Sequence, residues 1–111
     1  MMITVIETQQ FISKAGHLMT GAERTALIDL VANYPEAGDV IPRTGGVRKL
    51  RVPARGRGKS GGYRVIYYFY NEKNPVLLFT VYGKNEKSDL TRKEENELYK
   101  IVQAIKKEMK P

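Results

Sequence analysis

The chain has no cysteine, no tryptophan and a single histidine, His17, among its 111 residues. The absence of cysteine excludes disulfides, thiol catalysis and zinc sites of the cysteine type. A lone histidine offers no metal-binding cluster, and we expect His17 at the surface. No apolar run approaches the ~20 residues of a membrane-spanning helix, and the N-terminus lacks the basic start of a signal peptide. We therefore expect one domain, residues 1–111, in a reducing cytoplasm, with no metal, no cofactor and no membrane association.

Acidic residues are absent from Val40 to Asn71. Within this stretch, residues 43–64 carry eight of the chain's nineteen basic side chains and six of its ten glycines. The whole chain has a net charge of +7. Such a patch predicts a polyanion-binding surface, much of it a basic loop flanked by strands. The alternative is a solvated charged loop without a partner.

Hydrophobic periodicity and capping residues predict an α+β fold. Two capping boxes, Thr20 with Glu23 and Thr91 with Glu94, mark the starts of two helices. An earlier short helix, around residues 9–15, is expected to end at Gly16. An N-terminal strand and a three-stranded meander are predicted at residues 2–7, 47–52, 63–70 and 76–82. We therefore expect an antiparallel sheet with two N-terminal helices and a C-terminal helix packed on it.

Several charged side chains converge on one end of the predicted sheet. Lys49 and Arg51 share a face, because side chains two residues apart on a strand point the same way. Arg64 begins the next strand, and Lys84 and Glu86 follow the end of the strand after it. The alternative is a set of solubilising charges at a sheet edge.

Clustered cations with one carboxylate suit cleavage of an RNA phosphodiester. Attack by a 2′-oxygen builds negative charge on the phosphate, which Arg51 and Arg64 would stabilise. Lys49 and Lys84 would hold phosphates or transfer protons, and Glu86 would act as base or orient an arginine.

Other residues give weaker indications of a functional role. Further RNA contacts are expected from six polar side chains near the cluster, namely Arg48, Arg55, Arg57, Lys59, Asn85 and Lys87. One tyrosine, Tyr68 or Tyr82, is expected to stack on a base. Asp29, Asp39 and Asp89 are scattered along the chain and give little support for a metal site. The segment from Gly56 to Ser60 lacks the spacing of a P-loop.

The stretches GGVRKLRVPARGRGKSGGYRVIYYF and VLLFTVYGKNEKSDLT resemble the HigB-type branch of the RelE/ParE toxin superfamily. The resemblance implies a small bacterial cytoplasmic α+β toxin that cuts mRNA in the A site of the 30S ribosomal subunit without a metal. It also implies a HigA-like antitoxin with a helix-turn-helix domain that binds DNA. The toxin would then associate with DNA only through this antitoxin.

Carried over residue by residue, the family's basic strand pair matches Lys49 and Arg51, and its strand-start arginine matches Arg64. The family's late arginine falls near Lys84 or Asn85. Its C-terminal tyrosine, which assists attack in RelE, falls at about Thr91, so this chain departs from that pattern. The loop at residues 54–62 would contact rRNA phosphates, a salt-dependent contribution. Two alternatives remain, a ParE-like gyrase inhibitor and a non-catalytic RNA-binding module, because fold alone does not fix function.

Overall fold

A computed structural model describes residues 2–53, 62–87 and 89–111 of the chain. Its elements, in chain order, are β1 (Val5–Glu7), α1 (Gln9–Leu18), α2 (Gly21–Asn33), β2 (Asp39–Val40), β3 (Val47–Val52), β4 (Tyr63–Tyr68), β5 (Val76–Gly83) and α3 (Arg92–Lys106). The strands form one sheet in the order β1-β5-β4-β3-β2. The predicted α+β class is confirmed. None of the helices in these ranges is long and apolar enough to cross a membrane.

The sheet is mostly antiparallel, as predicted, and differs from the prediction in two places. β3, β4 and β5 form the expected antiparallel meander. β1 instead pairs in parallel with β5, with Val5 opposite Val76. The short strand β2, which was not predicted, pairs with β3 through Asp39 opposite Lys49. A two-residue strand carries no periodicity, and the direction of β1 depends on a partner distant in the sequence.

Helices cover both faces of the sheet. The α1 and α2 side chains pack with one face of the sheet in a cluster of Phe11, Ala15, Leu27, Val31, Leu50, Val65 and Tyr67 with their neighbours. The other face packs against α3 in a cluster of Ile41, Val47, Ile66, Tyr68, Phe79, Tyr82 and Val102. The alternation of β3 and β4 therefore sends successive side chains to two different helical layers.

Both predicted capping boxes are present. Thr20 and Glu23 at α2, and Thr91 and Glu94 at α3, exchange hydrogen bonds between side chains and backbone. The predicted end of α1 at Gly16 is wrong, because the helix continues to Leu18. A glycine inside a helix costs only about 1 kcal/mol relative to alanine, and burial of Met19 just beyond the helix favours the extra turn.

The loop between β2 and β3 fixes the start of α3 beside the sheet. Arg43 lies in the left-handed region with φ 68, which is uncommon for a residue other than glycine. Its guanidinium donates to the buried carboxylate of Glu95, with Nε–Oε1 at 3.0 Å and Nη2–Oε2 at 3.3 Å. The buried hydroxyl of Thr44 closes the same loop through the carbonyl of Ile41 and the amide of Val47. α3 thus begins next to the strand that carries Lys49.

Candidate functional site

Three basic side chains of neighbouring strands share the face of the sheet that α3 covers. In the β3–β4 register Arg51 lies directly opposite Arg64, and Lys49 precedes Arg51 by two residues. Arg64 is in turn opposite Tyr82 of β5, whose side chain belongs to the α3-facing cluster. We refer to Lys49, Arg51 and Arg64 as the cationic cluster. Like charges directly opposite on a sheet destabilise it, so this pairing has an energetic cost.

The cationic cluster lies where the α3-facing core ends. Arg51 is exposed, whereas Lys49 and Arg64 are half-buried. Arg64 is held in part by its own strand, through a 3.5 Å contact from Nη1 to the carbonyl oxygen of Tyr63. The guanidinium groups of two strands are thus present at one surface, where they can bind the oxygens of a phosphate.

The turn after β5 lies at the same end of the sheet. The amide of Lys84 donates to the carbonyl of Gly62 at 3.1 Å, which ties this turn to the start of β4. Lys84 and Asn85 are both exposed. Lys87 contacts Glu94 at 2.5 Å, and its ammonium lies 5.1 Å from the centre of the Tyr82 ring. Lys84 and Asn85 are therefore accessible to a ligand, whereas Lys87 is engaged within the protein.

The carboxylate in contact with the cationic cluster is that of Asp89. Its Oδ1 lies 2.6 Å from Nζ of Lys49. The hydrogen bond and charge of Lys49 lower the pKa of the Asp89 carboxyl, and the charge of Arg64 lowers it further. Asp89, which the sequence analysis considered only as a possible metal ligand, is therefore part of the charged site.

Glu86 is directed to a different element. Its carboxylate contacts Nζ of Lys14 on α1 at 2.7 Å, and this hydrogen bond lowers the pKa of Glu86. The prediction that Glu86 is the only carboxylate near the cluster is wrong, because Asp89 contacts Lys49. Its role as a base or orienter stays a prediction.

Arg48 faces away from the cationic cluster, because it precedes Lys49 by one residue. Its Nη1 donates to the carbonyl of Gly38 at 2.7 Å and to that of Glu36 at 3.3 Å. The expectation that Arg48 contacts RNA is therefore corrected, since this side chain holds the loop before β2. Three further predicted RNA contacts, Arg55, Arg57 and Lys59, lie outside the described residues.

The two tyrosines predicted to stack on a base are core residues. Tyr68 is 2% exposed and Tyr82 is 1% exposed, because α3 packs over this face. Neither ring offers a free face to a nucleotide in this conformation. The prediction of a stacking tyrosine is therefore wrong for both residues.

The hydroxyl of Tyr82 is nevertheless unusual. It is buried and has no hydrogen-bond partner among the residues that the structure describes. Burial raises the pKa of this hydroxyl, the charge of Asp89 raises it further, and Arg64 opposes the shift. The hydroxyl therefore stays protonated at neutral pH, close to the charged groups of the site.

A groove of about 470 Å³ opens beside Lys49 and is lined by β2, the β2–β3 loop and the segment that leads into α3. Lys49 and Asp89 both line it, as do Arg43 and Glu95. No group of three or more histidine, cysteine, aspartate or glutamate side chains within the described ranges is arranged to hold a metal ion.

Sequence reasoning missed Asp89 and the hydroxyl of Tyr82. Asp89 is 40 residues from Lys49, so no local spacing connects them. The sequence did offer one indication of this contact, because Asp89 lies between β5 and the capping residue Thr91 of α3. Both β5 and α3 lie next to the cationic cluster, so the segment that joins them is close to it as well.

The comparison with known proteins gives two findings. A family model described as the RelE toxin of the RelE/RelB toxin–antitoxin system matches residues 36–110 of the chain. Among solved structures, the chain is similar to a mutant of the E. coli toxin RelE in the free state, with 23% sequence identity and a TM-score of 0.56. The alignment covers 98% of this chain and 100% of that chain. The second finding supports the fold alone.

Proposed function

The chain belongs to the RelE family of toxins of toxin–antitoxin systems, and we propose that it is an endoribonuclease that cleaves mRNA on the ribosome and so inhibits translation. The observation that supports this proposal most is the direct pairing of Arg51 with Arg64 at the end of the sheet. Opposed cations destabilise a protein by themselves and are expected where a polyanion binds.

The reaction we propose is attack of a ribose 2′-oxygen, which gives up its proton, on the adjacent phosphate. The new bond closes a 2′,3′-cyclic phosphate, and the bond from phosphorus to the 5′-oxygen of the next nucleotide breaks, so that this oxygen leaves and takes up a proton. The negative charge that develops on the non-bridging oxygens is stabilised by the guanidinium groups of Arg51 and Arg64. Lys49 and Lys84 hold the flanking phosphates or transfer protons. The positive charge of these side chains would let the reaction proceed without a metal ion.

The partners we propose are those of a HigB-type toxin. A HigA-like antitoxin with a helix-turn-helix domain neutralises the protein in the bacterial cytoplasm, and the substrate is mRNA in the 30S A site. The net charge of +7 favours rRNA as the surface on which the protein docks. In this proposal Asn85 and the basic residues Arg55, Arg57 and Lys59 add RNA contacts, and Lys87 adds one when RNA displaces its contact with Glu94.

The Arg64→Ala variant tests the role of the cationic cluster. We expect it to abolish growth arrest and to remove the cuts that wild-type protein makes within translated codons, measured by primer extension after induction. The physical reason is the loss of a guanidinium group that stabilises the transition state, worth about 10²–10³ in rate for a comparable donor. The variant should still bind its antitoxin, which verifies that it folds.

Lys100→Ala is the matched control, because it removes one positive charge from an exposed position of α3. It should arrest growth and cut mRNA like the wild-type protein. Full toxicity of Arg64→Ala at wild-type expression would remove Arg64 from the mechanism. Intact transcripts with induced DNA damage signalling would indicate a ParE-like gyrase poison, and RNA binding without cleavage would indicate a non-catalytic module.

A further inference from the structure

We propose that Asp89 occupies, on Lys49, the position that an RNA phosphate takes in the complex, and that the Tyr82 hydroxyl is a further donor to that phosphate. The proposal rests on the proposed function for the nature of the ligand, RNA. It assigns two residues to RNA binding in roles that the strand pattern did not indicate, one as a displaceable counter-ion and one as a buried donor.

The contact between Lys49 and Asp89 has the properties of an exchangeable pair. The two side chains meet at 2.6 Å, and the carboxylate remains 71% exposed. Exposed ion pairs contribute little to stability, so replacing this carboxylate by another anion costs little. A phosphodiester carries one negative charge, as a carboxylate does, and it also reaches Arg64, whose charge already acts on Asp89.

The Tyr82 hydroxyl supplies an independent observation. A buried hydroxyl without an acceptor is costly, and such groups are rare in folded proteins. The hydroxyl of Tyr82 is in this state among the described residues. Tyr82 lies directly opposite Arg64 in the β4–β5 register, and the charges of Asp89 and Arg64 both act on the hydroxyl. A phosphate on Lys49 has four oxygens where a carboxylate has two, and in the proposed complex one of them extends beyond the position of the Asp89 carboxylate and accepts from this hydroxyl.

The position of Asp89 permits the exchange. It lies outside regular structure, between the turn that follows β5 and the capping residue Thr91. Asp89 can therefore leave Lys49 without breaking the capping box at the start of α3. In the proposed complex, the departure of Asp89 also exposes the Tyr82 hydroxyl, which is buried in the free protein.

Asp89→Asn tests the exchange by equilibrium binding. The probe is a labelled single-stranded RNA with 2′-O-methyl groups, which cannot be cleaved by 2′-oxygen attack, titrated without ribosomes at several salt concentrations. We expect the variant to bind about two- to five-fold more tightly, because no carboxylate competes for Lys49. The slope of log K against the logarithm of the salt concentration should be more negative for the variant than for the wild type, by up to about one. The reason is that the displaced carboxylate of the wild-type protein takes up a cation from solution, which offsets one of the cations that the RNA releases.

Asp29→Asn is the matched control for this experiment. It makes the same chemical change and the same change in net charge at an exposed position of α2, on the other side of the sheet. If Asp89→Asn binds RNA no more tightly than Asp29→Asn, the assignment of Asp89 as a phosphate placeholder is overturned.

Tyr82→Phe tests the hydroxyl. We expect this variant to bind the same RNA about two- to ten-fold more weakly, because one donor to the phosphate is lost. Its melting temperature should be unchanged or higher, because the deleted group has no partner among the described residues of the free protein. Tyr68→Phe, buried on the same face of the sheet, is the control and should bind RNA normally. Normal RNA binding by Tyr82→Phe, or a lower melting temperature, would contradict the assignment.

Cleavage on ribosomes separates this inference from the nuclease proposal. Tighter binding by Asp89→Asn with cleavage retained supports the placeholder role. Binding equal to that of Asp29→Asn with cleavage lost would make Asp89 a reacting group, which overturns the inference and leaves the nuclease intact. If the wild-type protein cuts no mRNA but the binding shifts occur, the nuclease proposal fails and the phosphate subsite stands.

Discussion

Arg48 and Arg51 are three residues apart on β3, yet they lie on opposite faces of the sheet and are used differently. Arg48 is 18% exposed in its side chain and donates to two backbone carbonyls of the loop before β2. Arg51 is exposed and lies directly opposite another arginine. One arginine therefore stabilises the fold, whereas the other destabilises the free protein and is available to a ligand.

The same contrast separates the tyrosines of β4 and β5. The Tyr67 hydroxyl, on the face toward α1 and α2, accepts from the amide of Gly38 at 2.8 Å and donates to the carbonyl of Pro35 at 2.7 Å. The Tyr82 hydroxyl, on the face toward α3, has no such partner among the described residues. The Tyr67 hydroxyl is thus satisfied within the fold, whereas the Tyr82 hydroxyl is not. The contrast is one between these two hydroxyls, because Nε of Arg48, on the face toward α1 and α2, is also buried without a partner among the described residues.

Alanine substitutions of the two arginines test this comparison through stability. Arg48→Ala should lower the free energy of unfolding by about 1–3 kcal/mol, because the partly buried carbonyl of Gly38 loses its donor. Arg51→Ala should change it by less than about 0.5 kcal/mol, or raise it, because the repulsion with Arg64 is relieved. The measurement is urea denaturation of both purified variants at pH 7. Equal losses in the two variants would show that the faces do not differ in this way.

A smaller effect is expected at the start of α3, where Glu94 both caps the helix and pairs with Lys87. Glu94→Gln keeps a capping side chain and removes the ion pair, so we expect a loss of about 0.2–1 kcal/mol at pH 7. The hydrogen bond from Lys87 lowers the pKa of Glu94 from its ordinary value of 4.5. The stabilisation is therefore present above about pH 4.5 and is lost as the pH falls through the lowered pKa.

Measurements of the free energy of unfolding at pH 7 and pH 3 test the direction of this pH dependence. The difference between wild type and Glu94→Gln should be smaller at pH 3 than at pH 7, because Glu94 of the wild-type protein takes up a proton as the pH falls through its lowered pKa. Glu97→Gln, at an exposed position of the same helix, should show no such difference at either pH. A difference that grows on acidification would refute the ion-pair account.

The strands and helices that local pattern specifies were predictable. β3 was predicted at its observed bounds, Val47–Val52, because alternating charged and apolar residues indicate a strand with two unlike faces. The capping boxes located α2 and α3 in the same way, since each is a reciprocal contact within four residues.

Long-range features were not predictable from one sequence. The parallel pairing of β1 with β5 joins Val5 to Val76, and no pattern inside β1 specifies its partner. The contact of Asp89 with Lys49 and the burial of Tyr82 both depend on where α3 packs. In the candidate site, the strand residues of the cationic cluster were therefore predicted, whereas its carboxylate was assigned to Glu86 and not to Asp89.

The proposed mechanism requires Arg51 and Arg64 to act together on one phosphate, and a double-mutant cycle of cleavage on mRNA-programmed ribosomes tests this directly. We expect Arg51→Ala and Arg64→Ala each to reduce the single-turnover rate about 100-fold or more. The double variant should lose far less than the product of the two, because residues that act as a unit are not additive. Wild-type cleavage by either folded single variant, or fully multiplicative losses in the double variant, would contradict a shared phosphate site.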